Sequence, residues 1–324
     1  MSNYLSRIGA EALNNSNPEN QNAQLGSKLK WLLGLNNPPG KVFYVSRNIL
    51  ASGNGLSWDQ AFKTIGEAVD AANDAYTDAR QPDKGRNTVI YVGEGWYSEV
   101  PLTLTASDVH IIGVASGSHD SIVLYGSSSQ GSWAGPSGGP ALTLAGSNNT
   151  VMNMGFFTAD PLYASVKDGA HASDGDSGYY GTNGNSLINC SFVRDVADGS
   201  LGGLDIASNE GPYVSNCRFS TSCKDWGIRI RSNGVTNPVG VRIEDCKFVG
   251  TPDGINIVAG SDIFILRNYF IDDMTDRPDA CDNQVVNEGN NVIITDNYWE
   301  GTEADAITGG GDHLNINNHL LAKT

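Results

Sequence analysis

The sequence predicts an all-β fold, a right-handed, single-stranded parallel β-helix. A short motif recurs in the second half of the chain, with copies ending at Phe156, Phe192, Phe219, Phe248, Phe270, Trp299 and Leu320, 21 to 36 residues apart. Such spacing is typical of solenoid repeats. Most copies also have a second short strand nearby, as in "GLDI", "GIRI" and "GINI". Two or three strands in so few residues leave no room for a helix in each repeat, so the chain should coil with its strands in parallel, and crossover handedness makes the coil right-handed.

Composition favours this fold and excludes several functions. The 324 residues include 39 glycines and only 17% charged residues, which suits many short strands joined by tight turns. The net charge is −16 and no basic stripe is present, so we expect neither a nucleic-acid partner nor a membrane surface. No apolar run approaches the roughly 20 residues that a bilayer span needs, so no membrane insertion is predicted. The N-terminus lacks the features of a secretory signal, which predicts a protein made in the cytoplasm without export.

The stretch "GIRIRSNGVTNPVGVRIEDCKF", residues 227–248, shows how one coil is organised. Side chains alternate along a strand, so Ile228 and Ile230 should point into the core while Arg229 and Arg231 point outward. The same alternation adds three residues to the predicted core: Val241, Ile243 and Phe248.

The five cysteines form an odd set in a chain too large to need disulfides, so we expect them to be reduced. Three of them, Cys190, Cys217 and Cys246, hold one equivalent position in successive motifs, and Asn268 and Asn297 continue it. A stacked ladder of small thiols and amides is therefore predicted inside the coil.

A capping helix is predicted at about residues 57–80. Ser57 and Gln60 have the spacing of a capping box. Five residues form one apolar stripe: Phe62, Ile65, Ala68, Val69 and Ala72. A helix there would cover the unpaired edge of the first coil.

The opening of the repeat region resembles that of the pectin-lyase-like right-handed β-helix superfamily. The similarity is carried by "KVFYVSRNILASGNGLSWDQAFKTIGEAVDAA" followed by "TVIYVGEGWYSEV", and it extends over residues 41 to about 320. The resemblance implies the fold more than the function, because the superfamily includes lyases, glycosidases, epimerases, phage tailspikes and structural proteins without activity. The chain is most like phage-associated members.

Residues 1–40 stand outside the repeat and are predicted to be an anchoring arm and linker, with the β-helix domain at 41–324. The residues expected to hold the arm on a particle are Tyr4, Leu5, Ile8, Leu29, Trp31, Leu32 and Leu33. A free tail is the alternative. The last coil has no capping helix, so it would be covered by a neighbouring chain, by a small irregular cap or by nothing. A homotrimer is predicted because phage β-helices of this kind are commonly trimeric.

The candidate catalytic residues are Asp205, Arg229 and Asn256. They occupy matching outward positions on three successive coils, about 5 Å apart by strand spacing. The superfamily's lyases use an arginine or lysine base, and its glycosidases use clustered aspartates, so converging outward side chains are the feature to seek. A cross-strand ion pair with no catalytic role is the other interpretation.

Other polar groups receive weaker functional predictions. The second strand carries Arg242, Glu244 and Lys247, with Arg218 one coil earlier, and is predicted to be a solvated face. A glycan-binding or partner-binding wall is assigned to the aromatic residues Trp133, Tyr163, Tyr179 and Tyr180. Calcium is the one candidate metal, with Asp272, Asp273 and Asp276 as its ligands and a solvated loop as the alternative. No other cofactor is expected.

These observations predict a structural virion surface protein of a bacteriophage. It would be a homotrimeric capsid decoration or attachment protein, fixed to capsid or tail proteins through residues 1–40, that binds host polysaccharide. The alternative is a polysaccharide lyase or glycoside hydrolase, of the tailspike or pectate-lyase type. A cell-surface adhesin is the third hypothesis. The absence of a secretory signal favours the virion protein, since the other two need export.

Overall fold

The computed structural model describes residues 41–77, 87–99, 101–114, 122–126, 139–158, 164–169, 182–192, 201–220, 223, 225–271, 283–300 and 307–321. The predicted anchoring arm, residues 1–40, lies outside these ranges.

Twenty-seven strands in the described residues form three sheets, named A, B and C. Sheet A contains β1 (Val42–Val45), β2 (Thr88–Gly93), β5 (Val109–Val114), β8 (Thr150–Met152), β11 (Ser186–Ile188), β14 (Tyr213–Ser215), β17 (Arg242–Glu244), β20 (Ser261–Leu266), β23 (Asn290–Thr295) and β26 (His313–Ile316). Sheet B contains β3 (Gly95–Glu99), β6 (Ile122–Gly126), β9 (Gly155–Thr158), β12 (Ser191–Phe192), β15 (Arg218–Phe219), β18 (Lys247–Val249), β21 (Tyr269–Ile271), β24 (Tyr298–Glu300) and β27 (His319–Leu321). Sheet C contains β4 (Leu102–Leu104), β7 (Leu142–Leu144), β10 (Ala164–Asp168), β13 (Gly202–Ile206), β16 (Trp226–Ile230), β19 (Asp253–Ile257), β22 (Asn283–Asn287) and β25 (Ile307–Thr308).

The chain visits the three sheets in turn, and one circuit makes one coil. Thus β14 in sheet A is followed by β15 in sheet B and β16 in sheet C, and β17 then lies beside β14. Every ladder between the strands is parallel, as in the pairing of β17 with β20. The predicted right-handed parallel β-helix is confirmed.

Side chains at equivalent positions of successive strands point inward and form rows, and these rows make up the core. Ile243 lies between Val214 and Ile265 in sheet A, and all three side chains are buried. The five residues that the sequence places inside coil 227–248 are also buried: Ile228, Ile230, Val241, Ile243 and Phe248. The alternation of the sequence therefore assigns the inside of the coil correctly.

A column of phenylalanine rings runs through the core on the sheet B side. The ring centroids of Phe192 and Phe219 are 4.6 Å apart, and those of Phe248 and Phe270 are 4.8 Å apart. These parallel contacts join successive coils at one strand spacing. The recurring aromatic of the sequence motif is thus a stacked core position.

The turn from sheet A to sheet B has one repeated backbone conformation. Its first residue has a φ between 50° and 57° at seven positions: Asn153, Asn189, Asn216, Asp245, Arg267, Asp296 and Asn317. Asparagine and aspartate tolerate this left-handed conformation better than most residues, which explains their recurrence.

The predicted thiol and amide ladder follows directly after these turn residues. Cys190, Cys217 and Cys246 are buried and free of disulfides, as is Cys223, while Cys281 lies outside the described residues. The backbone N–H of Cys246 donates to Oδ1 of Asn268 at 2.9 Å, and the N–H of Asn268 donates to Oδ1 of Asn297 at 2.8 Å. The ladder therefore satisfies buried backbone donors from coil to coil.

The capping helix begins later than the sequence suggests. A 3-10 turn spans Trp58–Gln60, Ser57 makes no side-chain capping bond, and the helix α1 spans Ile65–Thr77. The capping box lies instead at Thr64 and Glu67: the N–H of Glu67 donates to Thr64 Oγ1 at 3.2 Å, and Glu67 Oε2 accepts from the N–H of Thr64 at 3.0 Å.

The predicted apolar stripe is otherwise correct. Four of its members are buried, Ile65, Ala68, Val69 and Ala72, and Phe62 is partly buried against the core just before the helix.

Helix α1 covers the free edge of the first strand of sheet C, as predicted. The Asn73 amide donates to the carbonyl of Thr103 at 3.0 Å, and its Oδ1 accepts from the N–H groups of Thr105 and Ala106. At the other end of α1, the carboxylate of Glu99 accepts from the N–H groups of Ile65 and Gly66 at 2.7 and 2.6 Å. An anion is favourable there because helix N-termini carry free donors and positive dipole charge.

None of the helices among the described residues is long and apolar enough to cross a membrane.

Candidate functional site

The candidate site lies on the outer face of sheet C, where four polar side chains follow one another across successive coils. The strand register pairs Lys167 with Asp205, Asp205 with Arg229, and Arg229 with Asn256. The three predicted residues therefore lie in the predicted order, and Lys167 extends the row by one coil. Their catalytic role stays a prediction.

Asp205 is the centre of this site and binds two arginines. Arg229 donates from Nε to Oδ1 at 3.1 Å and from Nη2 to Oδ2 at 2.8 Å. Arg231 donates from Nε to Oδ1 at 3.0 Å and from Nη2 to Oδ2 at 2.6 Å. Both pairs have the two-point geometry that makes arginine–carboxylate bonds strong and directional.

The ionisation of Asp205 follows from these contacts. Burial raises the pKa of its carboxyl, but the hydrogen bonds and charges of Arg229 and Arg231 outweigh it, so the pKa is lowered overall. The side chain is 5% exposed, whereas those of Arg229 and Arg231 are 23% and 13% exposed. The buried carboxylate therefore stays ionised at neutral pH and holds the two partly exposed guanidinium groups in place.

Trp226 fixes Arg229 from a second direction. The guanidinium carbon of Arg229 lies 4.6 Å from the centroid of a Trp226 ring, at the distance of a cation–π contact. Gly202 of the preceding coil provides the room, since a Cβ atom there would lie 2.1 Å from the indole. The orientation of Arg229 is thus set by a carboxylate and an aromatic face together.

Three cationic side chains lie around Asp205 although the chain is strongly acidic. These are Lys167, Arg229 and Arg231. Lys167 is buried, at 6% exposure. The arrangement suits an anionic ligand that reaches the exposed edge of the Arg229 guanidinium.

The strand register places Asn256 in this row, but its side chain makes no hydrogen bond to Arg229 or Asp205. Its amide donates to Oδ2 of Asp253 at 2.8 Å, within the same strand β19. The structure thus brings Asp205 and Arg229 together and directs the Asn256 amide elsewhere.

A buried polar cluster lies on the inner side of the same sheet, at the end of β10. Oδ1 of Asp168 accepts from the Asn185 amide at 2.7 Å and from the Thr182 hydroxyl at 3.3 Å, while its Oδ2 has no hydrogen-bond partner among the described residues. Burial raises the pKa of Asp168 to about 6. The sequence does contain a signal for this group, because Asp168 is a charged residue at an inward-pointing position of the strand, directly after the outward-pointing Lys167.

The second predicted polar face, on sheet A, is only partly solvated. Glu244 is buried and binds Arg242 through Nε at 2.9 Å and Nη2 at 2.6 Å, and it also accepts from the Tyr213 hydroxyl and from Arg267. The prediction of a solvated face is therefore wrong for Glu244, because donors from three successive coils converge on it. Arg218 and Lys247 are exposed, as predicted.

Several predicted site residues lie outside the described residues. These are the aromatic wall Trp133, Tyr163, Tyr179 and Tyr180, the calcium candidates Asp272, Asp273 and Asp276, and the arm residues Tyr4, Leu5, Ile8, Leu29, Trp31, Leu32 and Leu33. Within the described part of the chain, no three histidine, cysteine, aspartate or glutamate side chains converge as a metal site would require.

Comparison with known proteins establishes the fold but not an activity. The sequence matches no protein-family model and no curated protein. A GH136 lacto-N-biosidase from Eubacterium ramulus matches with a TM-score of 0.59 and 13% identity, over 98% of this chain and 62% of its own. The rice weevil pectin methyl esterase matches with a TM-score of 0.52 and 12% identity, over 92% of this chain and 95% of its own. These structures support the parallel β-helix fold, and neither points to a phage protein.

Proposed function

We propose that the protein binds an acidic polysaccharide on the outer face of sheet C and is a carbohydrate-active β-helix protein. The observation that carries this proposal is the pair Arg229 and Arg231, held side by side by one buried carboxylate on a chain with a net charge of −16. The two solved structures named above are a pectin methyl esterase and a GH136 lacto-N-biosidase. They support carbohydrate as the ligand class.

The chemistry of Arg229 suits a sugar carboxylate. Its Nε and Nη2 are used by Asp205, and its Nη1 makes no hydrogen bond to a described residue. A guanidinium has five N–H donors in a rigid plane. The remaining edge can therefore bind a second carboxylate, such as that of a uronic acid residue, while Asp205 and Trp226 keep the plane fixed.

Of the reactions in the alternative prediction, β-elimination suits these side chains better than glycoside hydrolysis. Hydrolysis uses one carboxyl group as a proton donor, whereas Asp205 has a lowered pKa and both of its oxygens accept bonds from arginine. In β-elimination a base removes the proton beside the sugar carboxylate, and the glycosidic C–O bond breaks with its electrons leaving on oxygen. Arg229 and Arg231 would stabilise the negative charge that develops on the carboxylate.

Arg229 itself is a poor candidate for the base. A guanidinium holds its proton strongly, and two of the Arg229 nitrogens already donate to Asp205. We therefore assign Arg229 to binding and charge stabilisation. The bacteriophage virion function stays a prediction, because its anchoring arm lies outside the described residues.

The proposal is tested by titrating the protein with polygalacturonate and with alginate, and with neutral dextran as the control polymer. Arg229→Ala should weaken binding of the acidic polymers at least about tenfold, the effect of one charge-assisted contact. Arg229→Lys should rescue it only partly, since lysine lacks the planar pair of donors.

Arg242→Ala is the matched control, because it removes a guanidinium that binds a buried carboxylate on sheet A. Release of products with the ultraviolet absorbance of new C=C bonds would show that the protein is also a lyase. Equal binding of dextran, or unchanged affinity in Arg229→Ala, would overturn the proposal.

A further inference from the structure

A second polar row runs along the outer face of sheet B, and we call it the sheet B row. The strand register places its members side by side on successive coils: Ser191, Arg218, Lys247, Tyr269, Tyr298 and His319. None of these residues belongs to the site on sheet C.

Two neighbouring cations in this row lack a counterion. Arg218 and Lys247 are exposed and lie opposite each other on β15 and β18. Neither forms an ion pair or hydrogen bond with a carboxylate of the described residues. Like charges directly opposite each other on adjacent strands destabilise a sheet. The presence of this pair is therefore not explained by a contribution to the stability of the fold.

The carboxylates closest in the chain are already engaged by other arginines. Asp245, two residues before Lys247, accepts from Nε and Nη2 of Arg267 at 2.9 and 2.8 Å. Glu244 is bound by Arg242 and Arg267. Although acidic residues outnumber basic ones by 36 to 20 in this chain, neither of these two carboxylates neutralises Arg218 or Lys247.

Aromatic side chains continue the row beyond the cations. The ring centroids of Tyr269 and Tyr298 are 4.9 Å apart, and those of Tyr298 and His319 are also 4.9 Å apart. Tyr269 is 45% exposed. Neither phenol hydroxyl makes a hydrogen bond to a described residue.

We propose that the sheet B row is a second binding surface for an acidic polysaccharide that lies parallel to the coil axis. Arg218 and Lys247 would bind the charged groups of the polymer, and the edges of Tyr269 and Tyr298 would hydrogen-bond its hydroxyls. The row offers one functional side chain per coil, at one strand spacing. A polymer that carries both carboxylates and hydroxyls matches two cations followed by hydrogen-bonding rings.

Duplex DNA fits this row less well. It carries one negative charge per roughly 1.7 Å of axis, so most of its phosphates would face uncharged or acidic surface. The choice of an acidic polysaccharide as ligand rests on the proposed function, but the residues of the sheet B row are different from those of the sheet C site.

The test is calorimetric titration of the full chain with polygalacturonate oligosaccharides at low salt. The double variant Arg218→Gln with Lys247→Gln should bind about tenfold more weakly, and its affinity should depend less steeply on salt because fewer counterions are released. The variant Tyr269→Ala with Tyr298→Ala should weaken binding while keeping the wild-type salt dependence. Arg242→Gln is the control for a change in net charge alone, and thermal melting verifies the fold of each variant.

The outcomes separate this inference from the proposed function. Loss of binding in Arg229→Ala but not in the Arg218 and Lys247 variant would refute the sheet B surface and leave the sheet C site standing. The reverse pattern would support the sheet B surface and refute the sheet C site. An equal loss in Arg242→Gln, or tighter binding of duplex DNA than of the sugar polymer, would also overturn the inference.

Discussion

The rings of Phe219 and Phe248 lie parallel, with their centroids 4.9 Å apart and their planes 8° apart. Gly227 lies against this column in sheet C: a Cβ atom there would be 2.8 Å from the Phe248 ring and 2.7 Å from the carbonyl oxygen of Gly254. The aromatic column therefore requires residues without side chains on the facing strands.

Gly227→Ala should destabilise the protein by about 3 kcal/mol or more, because both the ring and the backbone of the next coil would have to move. Gly310→Ala is the control, since a Cβ atom there meets nothing within 4 Å. Denaturant unfolding measures both. Equal stability of the two variants would show that the column can shift at little cost.

Asp205→Asn should cost about 3 kcal/mol of unfolding free energy. The change removes the negative charge that Arg229 and Arg231 share, and removing the buried carboxylate of such an ion pair leaves its partners uncompensated. Asp245→Asn is matched to it, because Asp245 also pairs with an arginine, but both partners are 47% exposed. That variant should lose less than about 1 kcal/mol, and a comparable loss in the two would contradict this account of burial.

Stability should fall as pH rises through the titration of Asp168. Burial raises its pKa to about 6 from 3.8, so between these values the folded state holds a proton that the unfolded state has released, and the folded form loses that advantage as pH increases. The difference of about two pKa units corresponds to roughly 3 kcal/mol, lost by about pH 7.

Asp168→Asn should remove this dependence and stabilise the protein at pH 8. Its amide keeps an oxygen for Asn185 and Thr182 and places an N–H donor near Ser208, whose hydroxyl has no partner among the described residues. Chemical unfolding between pH 4 and pH 8 measures the effect, and identical pH profiles for the two proteins would refute it.

The ladder position of Asn268 should accept cysteine better than alanine. Asn268 is buried and its Oδ1 accepts from the N–H of Cys246, whereas at the equivalent place in an earlier coil Cys217 Sγ accepts from the N–H of Cys190 at 3.4 Å. Asn268→Ala leaves that donor without an acceptor and should cost about 2 kcal/mol. Asn268→Cys should cost less, and the opposite order in thermal melting would show that volume rather than hydrogen bonding decides.

The fold was predictable because each coil repeats the same inward and outward alternation, so counting residues from the recurring aromatic gives both core and register. That counting also placed Asp205 beside Arg229 correctly. The start of the capping helix was not predictable in the same way. Both Ser57 with Gln60 and Thr64 with Glu67 have capping-box spacing, and the choice depends on Glu99, which reaches the helix N-terminus from the first coil.

The other contacts of the candidate site could not be predicted from the sequence. Lys167 lies 38 residues before Asp205, next to a long insertion, and no copy of the motif marks its strand. Trp226 contacts Arg229 only because Gly202 of another coil leaves space for the indole. Contacts of this kind depend on neighbouring coils and leave no periodic signal in the sequence.

The thiol and amide ladder gives the solenoid a direction. The N–H of Cys190 donates to Cys217, that of Cys246 to Asn268, that of Asn268 to Asn297, and that of Asn297 to Asn318. All four bonds point the same way along the axis, so their dipoles add and each can polarise the next. Each of these four donors thus depends on the following coil for its acceptor, and removing that coil from the C-terminal side would leave the donor unmet.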